Sequence, residues 1–182
     1  MRVITGSARG RKLKTVEGTE TRPTGDRVKE AVFSIIQFDI EGRRALDLFA
    51  GTGQMGIEAL SRGAKEAVFV DNAPASIKVI RENLEHTGFS GSAAVRQADC
   101  FEALRSFQSE AFDIIFLDPP YGFGMLEKTL KKIIQFDTLR NFGIIICESK
   151  REETLPDLPA PYFKRREYIY GSVKITVYGK KI

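Results

Sequence analysis

Asp47-Leu48-Phe49-Ala50-Gly51-Thr52-Gly53-Gln54-Met55-Gly56 is the stretch whose reading decides the fold. It continues an apolar run over residues 45–49, its last six residues match G-x-G-x-x-G, and residues 53–62 carry apolar side chains near one helical side. A strand that turns through glycines into a helix opens a βαβ unit. Downstream, short apolar runs at residues 67–70, 93–95, 112–117 and 143–147 alternate with helix-period segments. That alternation predicts an α/β protein with a doubly wound, mostly parallel sheet, its strands apolar because both faces are covered. Asn72 is placed to cap a helix over residues 73–87 that stops before Gly88. Asp99 with Glu102 three residues on reads as a capping-box variant, and residues 125–136 supply another helix.

Beyond Cys147 the pattern changes. A loop with Pro156, Pro159 and Pro161 leads to strands at residues 163–170 and 173–178, joined by Gly171-Ser172. That hairpin would end the sheet with antiparallel pairing and bring it to seven strands. Before Arg43, residues 2–4 and 11–13 read as short strands of an N-terminal β-hairpin extension. A helix follows, capped by Thr24 and carrying Val28, Ala31, Val32, Ile35 and Ile36 at helical spacing. The expected organisation is a single domain over residues 1–182, with a basic extension (1–24) and a catalytic core (25–182).

A chain of 182 residues with 42% hydrophobic content is large enough for one self-sufficient core. Its two cysteines, Cys100 and Cys147, have no C-x-x-C spacing, and His86 is its only histidine. Neither a disulfide framework, a zinc site nor a two-histidine metal site is indicated, and no apolar run approaches the length of a membrane span. A reducing, cytoplasmic setting without metal or membrane is the expectation. The net charge of +4 conceals a segregation: residues 1–29 carry +5, residues 162–182 carry +5, and the body between them carries −6. Basic ends on an acidic body suit a polyanion such as RNA or DNA.

The glycine loop admits two cofactors. Asp71 lies 20 residues after Gly51, at the end of the next strand, where its carboxylate can accept ribose hydroxyls of NAD or of S-adenosylmethionine (SAM) alike. Asp47 separates the two. A carboxylate four residues before the first glycine repels a pyrophosphate but accepts a hydrogen bond from the cationic amino group of SAM. SAM is therefore favoured. Asp47, Phe49, Gly51, Gly53, Asp71, Asn72, Asp99 and Cys100 form the expected cofactor site, with Asp99 facing the adenine amino group, capping a helix, or both.

Asp118-Pro119-Pro120-Tyr121 closes the fourth core strand at the same sheet edge. The exocyclic amine of a nucleobase is a poor nucleophile because its lone pair is delocalised into the ring. Two acceptors at its N–H groups draw the nitrogen toward tetrahedral geometry. The Asp118 carboxylate supplies one and the Pro119 carbonyl the other, directed by proline's fixed φ. Tyr121 offers a plane against which a flipped base can lie. Three classes remain open on these residues: a nucleic-acid amino-group methyltransferase, adenine N6 included; an NAD-type oxidoreductase, for which D-P-P-Y would be idle; and a non-catalytic RNA-binding protein.

The chain resembles the RsmD family of bacterial rRNA guanine-N2 methyltransferases, a branch of the Rossmann-like SAM-dependent enzymes. The resemblance covers nearly the whole chain. It rests on the opening RVITGSARGRKLK, on Arg22-Pro23-Thr24 with Asp26-Arg27-Val28 and Glu30, on DLFAGTG with residues 56–64, and on Asp118 to Tyr121. It implies SAM as cofactor and, as substrate, the N2 amine of one guanine of 16S rRNA in a small-subunit particle. Arg9, Arg11, Lys12, Lys14, Arg22, Thr24 and Arg27 are the expected RNA-binding residues. Asp71 departs from the glutamate common in relatives, and Gln54-Met55 from smaller residues.

Overall fold

The computed structural model describes residues 1–16, 23–107, 112–120 and 124–182, with Pro23 and Thr24 described by backbone alone. Arg22 and Tyr121 therefore lie outside the described residues, as does the Thr24 side chain. Five parallel strands, β1 (Arg44–Asp47), β2 (Glu66–Asp71), β3 (Ala93–Gln97), β4 (Phe112–Leu117) and β5 (Leu139–Lys150), are followed by an antiparallel pair, β6 (Tyr162–Tyr170) and β7 (Val173–Lys180). The sheet order is β3-β2-β1-β4-β5-β7-β6, as the seven-strand reading requires, with β7 inserted between β5 and the edge strand β6.

Strand alternation divides the core into two layers. Ala45, Phe69, Ile114, Phe116, Ile144 and Ile146 pack toward α1 (Pro23–Ile35), α2 (Gln54–Ser61) and α3 (Pro74–Thr87). Their chain neighbours Leu46, Val70, Ile115, Leu117, Ile145 and Cys147 pack toward α4 (Cys100–Ser106) and α5 (Met125–Phe136). Side chains buried on both faces explain why the strands read as continuous apolar runs. β5 begins four residues earlier than the run at Gly143 suggests, because Leu139 pairs with Phe112 across an irregularity in the ladder.

Two expected caps are corrected. α1 starts at Pro23, so Thr24 lies inside its first turn, and proline's fixed φ makes it a favourable first residue. The residue flanking α3 is Ala73 rather than Asn72, and Pro74 occupies the first turn. There the Asp71 carboxylate accepts the Ala73 N–H at 2.9 Å and takes over what a capping side chain would do. Asp99 does cap α4, accepting from the N–H groups of Phe101 and Glu102.

The N-terminal extension is a short hairpin: Arg2 and Lys12 form an antiparallel bridge, flanked by hydrogen bonds from the Val3 N–H to the Arg11 carbonyl, from the Gly10 N–H to the Val3 carbonyl and from the Leu13 N–H to the Met1 carbonyl. The backbone donors of its connecting loop are claimed by α2. Glu58, fully buried, accepts the N–H of Ile4 at 2.8 Å, the N–H of Thr5 at 3.0 Å and Nε of Arg62 at 2.8 Å. One turn on, the Ser61 carbonyl accepts from Ser7 and the Ser61 hydroxyl from Ala8. Gly6 is required here: its φ is +87° and an added Cβ would lie 1.7 Å from the Ser61 carbonyl oxygen. Buried Lys29 closes the anchor from α1 by donating to the Arg2 carbonyl at 2.7 Å. Replacing Glu58 by Ala orphans two backbone donors and the Arg62 charge together, and should lower unfolding free energy by about 2–4 kcal/mol. Urea denaturation checks this, with Glu58→Gln, which keeps one acceptor, expected to lose less.

Candidate active site

In a doubly wound sheet the crevice opens where the strand order reverses, since neighbouring crossovers leave to opposite sides. Here that point lies between β1 and β4, which pair Asp47 with Phe116 at their carboxyl ends. A cavity of about 1120 Å³ occupies it. Phe49, Gly51, Asp71, Asn72, Asp99 and Cys100 line one half. Asp118, Pro119 and Pro120 stand in the middle, and Gly25, Val28, Glu148, Lys150, Glu152 and Val173 line the other half. Six of the eight expected cofactor residues thus share one wall, continuous with the D-P-P segment.

The two exceptions are Asp47 and Gly53. Asp47 is only 3% exposed and lies outside the cavity lining; one of its oxygens accepts the Gly56 N–H at 3.1 Å. Burial, opposed by that hydrogen bond and reinforced by Asp71, pushes its carboxyl up to about 7. Gly53 is buried, and a Cβ there would point at Ile80, Phe69 and Ile57 rather than at the cavity.

The glycines divide the work accordingly. Gly51 lines the cavity at φ +54° with nothing within 4 Å of an added Cβ, so it leaves room for a ligand against the backbone. Gly53, at φ +78°, turns the chain into α2. Gly56 admits the Phe69 ring, which a Cβ would meet at 2.3 Å, and so sets how closely α2 packs on β2. Asp71 ties the loop down, accepting the Gly51 N–H at 2.8 Å on one oxygen and the Ala73 N–H on the other. Each oxygen keeps a lone pair with which to accept a ligand hydroxyl. Burial and the Asp99 charge push the Cys100 thiol up to about 11, so it lines the wall as a neutral, weakly polar group.

Asp118 follows β4 directly. Its side chain is exposed to the cavity. Partial desolvation there first, then the charges of Glu148 and Asp47, push its carboxyl up to about 8. Glu148 was not among the residues singled out from sequence, although a signal was present. It follows the apolar run of β5 as Asp118 follows that of β4. Asn83 also went unmarked. Fully buried on α3, it donates to the carbonyls of Lys14 and Thr52 and accepts the Lys14 N–H, joining the N-terminal segment to the glycine loop.

The basic residues of the extension do not converge on Asp118. Arg11 donates to the His86 carbonyl at 2.6 Å and Lys14 pairs with Glu82 at 2.8 Å, both on α3. Arg9 and Lys12 are exposed, and their side chains have no hydrogen-bond or ion-pair partner among the described residues. The tip carrying Arg9 packs at the far end of α2 from the glycine loop, about 12 Å away at 1.5 Å per residue. Arg27, exposed in the first turns of α1 between the lining residues Gly25 and Val28, is nearer the cavity. No group of metal-binding side chains is found among the described residues, and none of the described helices is long and apolar enough to cross a membrane.

A doubly wound sheet with a glycine loop and D-P-P at its switch point defines the Rossmann-like methyltransferase fold. The family profile described as conserved hypothetical protein 95 matches residues 1–179. The chain is 41% identical to YlbH of Bacillus subtilis over the full length of both. It is 34% identical to ribosomal RNA small subunit methyltransferase D of Escherichia coli, covering 100% of this chain and 90% of that protein. The solved structure of yhhF from Escherichia coli superposes with a TM-score of 0.87 at 32% identity, over 100% of this chain and 98% of that one. The chain belongs to this family, the RsmD family.

Because the raised Asp118 carboxyl holds its proton more tightly when folded than when unfolded, its contribution to stability is present at low pH. It is lost as pH climbs through about 8. Asp118→Asn removes that loss. The melting temperature of the variant minus that of the parent should therefore grow between pH 5 and pH 9, as read by scanning calorimetry at matched ionic strength.

Proposed function

We propose that the protein transfers a methyl group from SAM to the exocyclic N2 amine of a guanine in 16S rRNA, acting on a small-subunit particle in the cytoplasm. The observation that carries this reading is the position of Asp118. It opens onto the same cavity as Gly51 and Asp71, at the point where β1 and β4 diverge. The residues present fit the cofactor. Open space over Gly51, the Asp71 carboxylate, Asn72 and the Asp99 carboxylate form a cradle with acceptors for a ribose and an adenine amine. Asp47, buried beneath the loop, is the candidate partner for the amino group, whose positive charge would draw off the Asp47 proton. When bound, SAM supplies an electrophilic methyl: the amine nitrogen forms the new C–N bond, sulfur keeps the electron pair of the broken C–S bond, and one N–H proton is lost.

The chain's own residues make the amine reactive. The Asp118 carboxylate and the Pro119 carbonyl accept its two N–H groups, orient the lone pair and stabilise the charge that develops on nitrogen. Asp118 or water then takes the proton. An Asp118 carboxyl near 8 is mostly protonated at neutral pH in the empty site, so activity limited by its ionised form rises with pH through that value. Arg27, on α1 between the lining residues Gly25 and Val28, is placed to meet the flipped nucleotide, and the sequence motifs assign stacking of the base to Tyr121 and RNA binding to Arg22 and Thr24. Phosphate binding rests chiefly on Arg9 and Lys12, because Arg11 and Lys14 are engaged with α3. Their distance from the cavity suits a large folded RNA that touches both places.

Three outcomes are expected. With small subunits from cells lacking the protein, labelled SAM and nucleoside mass spectrometry, the parent should yield N2-methylguanosine in 16S rRNA. Asp118→Asn should turn over at least about 100-fold more slowly, with little change in affinity for S-adenosylhomocysteine. Neutralising Arg9 and Lys12 together should reduce the slope of log K against log salt by about 1.5, at ~0.7 to 0.9 per phosphate contact. A salt titration of binding to the same particles measures it; an unchanged slope would sink the phosphate-binding role of the extension.

A further inference from the structure

β4 and β5 run parallel with Leu117 opposite Cys147, so the next residue of each, Asp118 and Glu148, ends at the same height. Phe116 and Ile146, two positions earlier, both pack in the layer facing α1. Strand alternation turns Asp118 and Glu148 to that same side, where Gly25 and Val28 of α1 form part of the wall. Neighbouring strands are about 4.8 Å apart, so two carboxylates start side by side and face one space. Their proximity also shows in Glu148's share in holding Asp118 above the ordinary carboxylate range. The methyl-transfer chemistry needs Asp118 but gives no reason for a second acid beside it, where it makes the first harder to ionise.

A base edge gives that reason. Guanine presents the N1–H donor directly beside its N2 amine. Adenine presents its N6 amine beside a bare N1 lone pair, and cytosine its N4 amine beside a bare N3. An ionised carboxylate next to the amine site therefore accepts a hydrogen bond from guanine and repels the other two. We propose that Glu148 is a specificity-determining residue that accepts the guanine N1–H while Asp118 and the Pro119 carbonyl hold the N2 amine. This rests on the methyl-transfer reading above and deepens it by naming what selects the base. Glu148 neither gains nor loses a proton in the reaction.

The test uses the full-length protein with the small-subunit assay, and in parallel unfolded total rRNA in which every base is accessible. Glu148→Gln turns an obligate acceptor into a group that can also donate to adenine N1. It should methylate guanine about 100-fold more slowly, the scale for losing a charged polar contact at a reacting base. On unfolded rRNA its ratio of N6-methyladenosine to N2-methylguanosine should rise at least about tenfold, and affinity for S-adenosylhomocysteine should hold within about threefold. Glu148→Asp, which keeps the charge, should lose less rate and retain the parent's guanine preference. The proposal is overturned if Glu148→Gln keeps guanine activity within about threefold of the parent. It is equally overturned if both variants slow alike, melt lower and leave the product ratio unchanged, since that describes a packing role. A parent that makes N2-methylguanosine while Glu148 proves indifferent sinks this inference alone. A parent that methylates adenine, or nothing, sinks the functional reading and this inference with it.

Discussion

The chain leaves β1 toward β2 on one side and β4 toward β5 on the other, so no crossover can cover the carboxyl ends of β1 and β4. Everything chemical about the molecule gathers in the gap this leaves. The glycine loop follows β1, Asp71 ends β2, Asp99 follows β3, Asp118 follows β4 and Glu148 lies near the end of β5. Each is delivered by the register of a strand whose apolar side chains are locked into one of two core layers. A shift of one residue in any strand would turn its terminal acid to the other face.

That delivery concentrates negative charge. Asp47, Asp118 and Glu148 come from three adjacent strands, and crowding in a partly desolvated space holds Asp118 well above the ordinary carboxylate range. Such an arrangement weakens the empty protein as pH rises and is eased by a positively charged ligand or by N–H donors. This electrostatic character accords with the proposed reading, in which a cation is held on one side and a donor-rich base edge on the other.

The N-terminal segment is held by different means. It adds no strand to the sheet, yet it is tied to α2 by Glu58 and Ser61, to α1 by Lys29 and to the glycine loop through Asn83. Between its two paired ends, buried polar side chains satisfy the loop's backbone donors that packing removes from water. Because Asn83 bonds both Lys14 and Thr52, the basic N-terminal segment and the glycine loop are joined through one side chain.

Local sequence determined the parts whose physics is local. Alternating apolar runs and helix-period segments established the doubly wound sheet, and Gly171-Ser172 its closing hairpin. Gly88, in the left-handed conformation that ends α3, and Asp99, which caps α4, needed only their immediate neighbours. Motif spacing likewise singles out Gly51, Asp71 and Asp118, which line one cavity. Only the tertiary structure decided which loop glycine faces the cavity, since Gly53 and Gly56 answer to Phe69 and Ile80 on other elements. It also decided that Arg11 and Lys14 turn onto α3, and that Glu58 and Asn83 anchor the N-terminus. Glu148 belongs to the same group: an acid after an apolar run is unremarkable until the β4–β5 register sets it beside Asp118. Partners 30 to 75 residues apart leave no periodicity in the chain, because what joins them is burial and hydrogen-bond geometry created only when the layers close.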